Sequence, residues 1–414
     1  MSAIEKKHLL KTAIIKQLFY KGILTLPDIA RLTRKSIPLV TSFIDELVDD
    51  GYLIEQGLAP STGGRRAAIF LLNPEINKYI VAVAMDQLKT QLIIYNMSSQ
   101  VVLPMREWSF DIRNEKNGID KLISITNQAI NDAGIAKEDI LGVGIGMPGF
   151  VNVERGVNYS QLIPNGNIGL RDYLVKQLGL PVYIDNDSSL FALAELRFGA
   201  AKKRRNTLVV NIGWGTGLGM VINNELYRGS SGYAGEFSHI PLSESNVLCF
   251  CGKRGCLEVE TSLLVMAKNA EHAIEKGAKS VLQKLLPDKS IHPGEHFITA
   301  VIQHDPLAIS VLSTAIFQLG KGLATLIHIM NPEAIILSGR VAEAGRLLLP
   351  PIQQAINEFC IPRIAEHTSI LISELGKDAA LRAAASLVIE NNKELPNHKT
   401  DNTMPKQEHK TALR

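Results

Sequence analysis

The chain has 414 residues, of which 46% are hydrophobic and 21% are charged, and its formal net charge is +3. This length is typical of two or three domains, and the composition provides enough apolar residues for a sizeable core. Because the net charge is close to zero, it does not indicate nucleic-acid binding. Any contact with DNA must therefore come from a local basic patch. The N-terminus does not resemble a signal peptide, and no apolar run approaches the ~20 residues that span a bilayer. We therefore expect a cytoplasmic protein without a membrane partner.

The first 75 residues show helical spacing followed by two strand-like runs. Gly22 is expected to end the first helix, Thr25 to cap a short second helix, and Ser36 to cap a longer third helix. A short helix, a tight turn and a longer helix form the helix-turn-helix pattern. The runs 52–57 and 67–73 flank a glycine-rich basic loop. Together these features predict a winged helix-turn-helix head.

In such a head the longer helix enters the major groove, and the wing lies along the backbone or the minor groove. The first 73 residues hold ten Lys/Arg and seven Asp/Glu, so the head is only mildly basic. The alternative is a helical protein-interaction module with a hairpin, but the GGRR sequence of the wing favours DNA. The candidate DNA contacts are Arg34, Lys35, Ser36, Pro38, Leu39, Thr41, Ser42, Arg65 and Arg66.

Residues from about 76 to 390 alternate strand-like runs with helical segments in two similar series. The strand-like runs that begin these series are 80–86, 90–96 and 101–107, then 207–213 and 217–224. Such a repeat predicts a duplicated α/β unit with a cleft between two lobes.

The predicted domains follow from these composition changes. They are a head at 1–75, lobe I at about 76–190 with a returning helix at 378–390, lobe II at about 191–377, and a tail at 391–414. The tail is polar and holds few apolar residues, so we expect it to be disordered.

Three of the four cysteines lie within eight residues, which indicates a metal site. His239, Cys249, Cys251 and Cys256 follow the spacing H-x9-C-x-C-x4-C, with glycines inside the loop that a tight turn around a metal would need. Three thiolates and one imidazole complete a tetrahedral Zn²⁺ shell without an open position, which is typical of a structural site. The alternative is a set of unrelated buried cysteines. Cys360 is isolated and is interpreted as a small core residue.

Polar residues in the body form a candidate sugar site. Asn186 and Asp187 follow a predicted strand, where α/β folds place ligand-binding groups. Glu236 precedes His239 by three residues, and Glu258 follows the last clustered cysteine by two. Carboxylates, an amide and a histidine that converge are suited to a polyol, although Asp187 alone is equally typical of a helix N-cap. A glycine-rich run at 213–219 resembles a hairpin turn that could hold a phosphate.

The segments LYRGSSGYAGEFSHIPL and CFCGKRGCLEVE resemble the signature of the ROK family (repressors, open reading frames and sugar kinases). The similarity extends through 142–152, 184–195, 215–219 and 331–339, and covers nearly the whole chain except the tail. The resemblance implies a duplicated actin-like (ribonuclease H-like) fold, a structural zinc and a sugar bound between the lobes. By family pattern the sugar contacts are Asn186, Asp187, Glu236, His239 and Glu258, with Asp187 as the base in a kinase.

The winged head separates the repressor branch of the family from the kinase branch. The chain therefore resembles repressors of the xylose-repressor and N-acetylglucosamine-repressor type. Kinases of the family have an Asp-x-Gly-Gly-Thr loop that approaches the ATP phosphates, whereas this chain has Asp86-Gln87-Leu88-Lys89-Thr90. Side chains in place of both glycines would crowd a phosphate. The later glycine run on the adenosine side is also altered, to Ser338-Gly339-Arg340. We therefore expect a non-catalytic sugar sensor.

The sequence thus predicts a sugar-responsive transcriptional regulator, of the repressor type, that binds operator DNA as a homodimer or homotetramer. A sugar kinase with an accessory head is the second hypothesis, and a sugar-sensing adaptor that does not bind DNA is the third. The identity of the sugar depends on loops such as Pro164-Asn165-Gly166 and stays open, as does its phosphorylation.

Overall fold

The fold is given by a computed structural model that describes residues 2–60, 66–115, 117–164, 168–376, 378–393 and 395–396. The chain forms two compact units. The first comprises the residues up to Lys78, Asn96–Gln100 and the described residues from Glu390 onward, and the second comprises Tyr79–Tyr95 and Val101–Ile389.

The first unit contains helices and a small antiparallel sheet with the strand order β1-β3-β2. Thr25 caps α2 by accepting a hydrogen bond from the backbone N–H of Asp28, as its position predicts. Ser36 occupies the N-cap position of α3, but its side chain makes no capping hydrogen bond. The core is formed by Ile14, Leu18, Ile44, Leu47 and Phe70. The elements are α1 (Ala3–Lys21), β1 (Leu24–Thr25), α2 (Leu26–Thr33), α3 (Ile37–Asp49), β2 (Leu53–Leu58) and β3 (Ala68–Leu72).

The beginning of the tail is ordered, contrary to the expectation of disorder from residue 391. Leu395 is only 1% exposed, and its backbone carbonyl accepts a hydrogen bond from the Thr12 hydroxyl of α1. An apolar side chain within a polar segment can anchor it, which the overall composition of the tail concealed. Residues 397–414 lie outside the described residues.

The second unit begins with a mixed sheet in the order β10-β7-β4-β5-β6. Strands β10, β7 and β4 are parallel, and β5 and β6 are antiparallel to each other. The elements are β4 (Tyr79–Met85), β5 (Lys89–Asn96), β6 (Val101–Ser109), α4 (Gly118–Asp132), β7 (Ile140–Met147), β8 (Val151–Asn152), β9 (Val157–Asn158), α5 (Leu170–Leu178), β10 (Val182–Asn186) and α6 (Asp187–Arg197).

A second mixed sheet has the order β13-β12-β11-β14-β15, with β11, β14 and β15 parallel. Its elements are β11 (Thr207–Ile212), β12 (Thr216–Ile222), β13 (Glu225–Leu226), α7 (Glu258–Thr261), α8 (Leu263–Glu275), α9 (Leu282–Leu285), α10 (Pro293–Ile302), α11 (Pro306–Met330), β14 (Ala334–Ser338), α12 (Leu349–Phe359), α13 (Pro362–Ala365), β15 (Ser369–Ile372) and α14 (Ala379–Asn391).

The two sheets share one topology. In each, the first three strands of the series form a meander, and the next two strands are added parallel to the first. The predicted duplication is therefore confirmed. The predicted boundary between the lobes at residue 190 falls inside the continuous helix α6, which packs against strands of both sheets.

The glycine-rich run at 213–219 has a packing role that its sequence did not reveal. The run joins β11 to β12 in an antiparallel hairpin, as predicted. A Cβ on Gly217 would lie 2.0 Å from the Ser188 hydroxyl of α6, and one on Gly219 would lie 2.4 Å from the Ser188 carbonyl oxygen. These glycines therefore allow α6 to lie directly on β12, whereas phosphate binding by the run stays a prediction.

Helix α11 is long and apolar enough to cross a membrane by length and composition, contrary to the expectation that no run approaches that length. Half of its most apolar stretch is buried, and Leu312, Ile316, Leu319 and Leu323 pack in the core beneath the second sheet. The apolar composition of α11 is thus explained by its role as a core helix.

Candidate functional site

A cavity of about 480 Å³ in the second unit is lined by residues of both sheets. Asp86 follows β4 and Asn186 ends β10 in the first sheet, whereas Gly213 follows β11 and Ser338 ends β14 in the second. The cavity therefore lies at the carboxyl ends of the parallel strands, where α/β folds bind ligands. Its volume is within the range of small-molecule sites.

The five predicted sugar contacts all line this cavity. The structure brings together residues that are up to 72 positions apart in the chain, although four of them come from two short segments. They are Asn186, Asp187, Glu236, His239 and Glu258.

Asn186, and not Asp187, caps α6. The Asn186 side-chain oxygen accepts hydrogen bonds from the Ser188 and Ser189 backbone N–H groups, and its amide nitrogen donates to the Gly149 carbonyl at 3.0 Å. Asp187 is the first helical residue and accepts from the Ser188 N–H at 2.8 Å. Asp187 is thereby free of the capping role that was its structural alternative.

Burial in the cavity changes the protonation of the carboxyl groups. Desolvation raises the pKa of Asp187 to about 6 and that of Glu258 to about 7. The pKa of Glu236 also rises to about 7, through desolvation and the nearby charge of Asp187, although 41% of its side chain is exposed. Groups poised between donor and acceptor forms near neutral pH can pair with hydroxyls in either direction.

His239 contacts two parts of the site through its two ring nitrogens. Nδ1 lies 3.7 Å from the Cys249 sulfur, and Nε2 lies 3.8 Å from a carboxylate oxygen of Glu236. Burial lowers the pKa of His239, which favours the neutral ring that a metal requires. Nδ1 can thus bind a metal while Nε2 points toward Glu236 in the cavity.

The four predicted metal ligands converge. One ligand atom each from His239, Cys249, Cys251 and Cys256 lies within 4.8 Å of all the others. The sulfur atoms of Cys251 and Cys256 are 3.6 Å apart, close to the ~3.8 Å edge of a tetrahedron with Zn–S bonds of about 2.3 Å. The donor set and its spacing therefore fit a tetrahedral metal ion, and the cysteines are not paired in disulfides.

The loop at 249–256, which we call the knuckle, is tight and well bonded. The Cys249 N–H donates to the Lys253 carbonyl, and Gly252 and Gly255 have positive φ angles of 85° and 77°. Side-chain-bearing residues rarely adopt that conformation, which explains the glycines predicted to be needed there.

Two buried side chains fix the segments that carry the site. Phe237 and Leu257 are 2% and 1% exposed, and both belong to the core beneath the second sheet. Phe237 lies between Glu236 and His239, and Leu257 lies between Cys256 and Glu258. Glu258 also accepts a hydrogen bond from the Thr216 N–H at 2.8 Å. The neighbouring acids, Glu236 and Glu258, and the predicted metal ligands beside them are therefore held against one core.

The sequence matches the ROK family over residues 81–391. The chain belongs to the ROK family. A xylose repressor of Caldicellulosiruptor bescii is 28% identical over 400 residues, covering 92% of this chain and 96% of that protein. A glucokinase of Halalkalibacterium halodurans is 34% identical over 259 residues, covering 61% of this chain and 77% of that protein. A crystal structure of a ROK transcriptional regulator, a homologue of the Escherichia coli MLC protein, has a TM-score of 0.74 at 24% identity, over 94% of this chain and 97% of that one.

In this ROK protein the residues that follow β4 form a tight turn. One Asp86 carboxylate oxygen accepts hydrogen bonds from the Leu88 and Lys89 N–H groups, both at 2.7 Å. Leu88 packs against the core beneath the second sheet, and Lys89 pairs with Glu107 at 2.8 Å. The side chains of Leu88 and Lys89 are thus engaged in packing and ion pairing.

Sequence reasoning missed several residues of the ROK cavity. Phe150, Tyr233 and Phe250 form a chain of ring contacts that includes His239, and Arg113 lies 4.6 Å above the Phe250 ring. The position of Phe250 between two knuckle cysteines was a usable signal, because a metal would fix that residue. Arg113 lies in a loop without any motif, so only the fold brings it to the cavity.

The candidate DNA contacts lie in the first unit, outside the ROK match. Most are exposed, while Thr41 is half-buried and donates its hydroxyl to the Ile37 carbonyl within α3. Arg34 has a φ of 55° and forms the turn between α2 and α3, as predicted. Arg65, Asn165 and Gly166 lie outside the described residues. The exposed contacts are Arg34, Lys35, Ser36, Pro38, Ser42 and Arg66.

Proposed function

We propose that this protein is a sugar-responsive transcriptional regulator of the repressor type. The first unit would bind operator DNA as a winged helix-turn-helix, and the cavity of the second unit would bind a sugar or sugar phosphate. A structural Zn²⁺ held by His239, Cys249, Cys251 and Cys256 would fix the sugar-contacting segments. We place its action in the cytoplasm, where reduced thiols can hold the metal.

The observation that carries this proposal is the length of the match to a named repressor. A match over 92% of the chain leaves out only 8% of 414 residues, so it includes part of the first 75. The glucokinase match covers 61% of the chain. The relative that resembles both units is thus named as a repressor, and we extend that role to this chain.

The exposed start of α3 supports DNA as the partner of the first unit. Ile37 and Leu39 are 47% and 43% exposed there, beside Lys35, Ser36 and Ser42. Exposed apolar side chains among hydroxyl and cationic groups suit a major groove, where thymine methyl groups lie beside hydrogen-bonding base edges. A palindromic operator would require a homodimer with half-sites one or more helical turns apart.

The direct test is a titration of the purified protein against labelled DNA from its own upstream region, read by fluorescence anisotropy at fixed salt. Glucose, xylose and N-acetylglucosamine would be added next, each also as a phosphate ester. We expect specific binding that one sugar changes by tenfold or more, about 1.4 kcal/mol of coupling. Equal affinity for operator and random DNA would contradict the proposal.

A single cation at the start of α3 provides a sharper test of the DNA interface. We expect Lys35→Ala to weaken binding on all sequences and to reduce the slope of log K against log salt by about 1, because one phosphate contact is lost. Lys21→Ala is the matched control, since Lys21 is exposed at the far end of α1. An equal loss in both variants would contradict the assignment of α3 to the groove.

A sugar kinase is the second candidate function, because the named glucokinase relative matches 61% of this chain and Asp187 lies in the cavity. ATP consumption that depends on a sugar and is abolished by Asp187→Asn would support it. The altered residues at 86–90 and 338–340 disfavour it. A chain that binds a sugar but neither turns over ATP nor binds operator DNA would support the adaptor hypothesis.

A further inference from the structure

Arg340 lines the cavity of the second unit. Its guanidinium donates to Asp86 at 2.6 Å and to Glu295 at 2.5 Å, and it lies 4.8 Å above the Trp214 ring. Asp86 follows β4 of the first sheet, whereas Arg340 follows β14 of the second sheet and Glu295 belongs to α10. One side chain therefore joins elements of the two lobes.

Two of the side chains that Arg340 contacts, Asp86 and Trp214, are also held by other contacts. One carboxylate oxygen of Asp86 accepts hydrogen bonds from backbone N–H groups of the β4–β5 turn. The other oxygen accepts a hydrogen bond from the Arg340 guanidinium. Trp214 is 3% exposed and contacts the His292 ring edge-on at 4.6 Å. The planar guanidinium can stack on the ring and form two ion pairs in fixed directions, whereas an ammonium group acts as a compact point charge.

The shielding of this cluster makes it stronger than an ordinary surface ion pair. The side chains of Arg340, Asp86 and Glu295 are 26%, 29% and 28% exposed. Burial alone would lower the pKa of Arg340, but the charges of Asp86 and Glu295 outweigh burial and raise it. Partly buried charges that are mutually satisfied attract each other more strongly than exposed charges do.

The same cluster lies within electrostatic reach of the sugar site. The charge of Asp86 contributes to the raised pKa of Asp187, after the larger effect of burial. Gln87, next to Asp86, lies near Gly215 and Glu258. Movement of Asp86 relative to the second lobe would therefore change the surroundings of two predicted sugar contacts.

We propose that Arg340 acts as a clasp, by which we mean an ion-paired side chain that joins the two lobes. With this clasp in place, the sugar is the single ligand needed to set the closed arrangement of the lobes. Arg340 is a positioning residue in this role, since it acts on the sugar site through Asp86. The part that concerns the sugar rests on the proposed function, whereas the clasp itself does not.

Amide hydrogen exchange of the full chain without ligand tests the clasp directly. The Leu88 and Lys89 N–H groups bond to Asp86 and report on its position. We expect Arg340→Ala to speed exchange in peptides covering 86–90 by about fivefold, and Arg340→Lys to have a smaller effect. Arg346→Ala is the matched control, because Arg346 is exposed in the same 3-10 segment.

Equal exchange in Arg340→Ala and Arg346→Ala would overturn the clasp. If Arg340→Ala does not fold, Glu295→Gln provides the same comparison, because it removes one partner and leaves the arginine in place. We expect Glu295→Gln to speed exchange of the same amides, and an unchanged rate would likewise overturn the clasp.

Calorimetry with the sugar that most affects operator binding tests whether the sugar is the single ligand that the closed arrangement needs. We expect the wild-type affinity to be unchanged by millimolar magnesium ATP and to fall at least about fivefold in Arg340→Ala. A severalfold effect of ATP on the wild type would overturn it. A wild-type chain that binds none of the sugars would contradict the proposed function, yet the exchange comparison would still decide the clasp.

Discussion

Asp187 is the residue at which burial and electrostatics act most directly on the candidate site. Its pKa rises from an ordinary 3.8 to about 6, mainly through desolvation, with a contribution from the charge of Asp86. A raised carboxyl pKa means that the folded protein binds this proton more tightly than the unfolded chain does. Burying the charged Asp187 carboxylate lowers the free energy of unfolding. This loss of stability is absent below about pH 4, grows as the pH rises to about 6, and is complete above that.

We predict that Asp187→Asn stabilises the protein above pH 6 while it weakens sugar binding. The amide keeps the shape of the side chain and removes the buried charge, so the melting temperature should rise at pH 8 and stay unchanged at pH 4. A carboxylate accepts stronger hydrogen bonds from hydroxyls than an amide does, so sugar affinity should fall about tenfold or more at pH 8.

Thermal unfolding and calorimetry at both pH values check this prediction. Asp172→Asn is a suitable control, because Asp172 is exposed on α5. A lower melting temperature for Asp187→Asn at pH 8 would show that the carboxylate is a stabilising group, contrary to the burial argument.

At the scale of elements, the knuckle at 249–256 links the predicted metal ligands to the predicted sugar contacts. His239 belongs to both groups, and Glu258 begins α7 two residues after Cys256. A metal ion held there would supply fixed ligand geometry, and this chain's residues would supply the contacts to the sugar. The knuckle is therefore expected to affect sugar binding although it is a structural element.

We predict that loss of the metal weakens sugar binding by roughly tenfold or more, comparable to the loss of metal affinity or activity when residues that orient a metal ligand are disturbed. Treatment with a chelator and the substitution Cys251→Ser should both do so, with metal content measured on the same samples. Cys360→Ser is the matched control, since Cys360 is a buried cysteine outside the cluster. Full metal content in Cys251→Ser would contradict the predicted ligand set.

At the scale of the whole molecule, the proposed function makes DNA and sugar binding reciprocal. If a sugar lowers operator affinity by a given factor, saturating operator must lower sugar affinity by the same factor. We predict this equality for the full chain, measured by anisotropy in one direction and calorimetry in the other at one salt concentration. Unequal factors would mean that the two assays report different states, for example different oligomers.

The alternation of strands and helices, the duplication and the His/Cys cluster were predictable because each depends on local spacing. Hydrophobic periodicity identified the strands that begin both series, and ligand type with loop glycines identified the cluster at His239 to Cys256. Short or irregular elements such as β13, β15 and the 3-10 segment Arg340–Leu348 were not predicted, since their conformation depends on neighbours that are distant in sequence.

By itself the sequence determined the chemistry available to this protein: a Cys3His set, a group of acids beside an amide, and a basic loop next to a helix pair. Only the tertiary structure decided how that chemistry is used. It gave the capping role to Asn186, and it explained Gly217 and Gly219 by helix packing. It also brought Arg340 across to Asp86, because close approach and cross-lobe pairing depend on three-dimensional distance, which residue spacing does not encode.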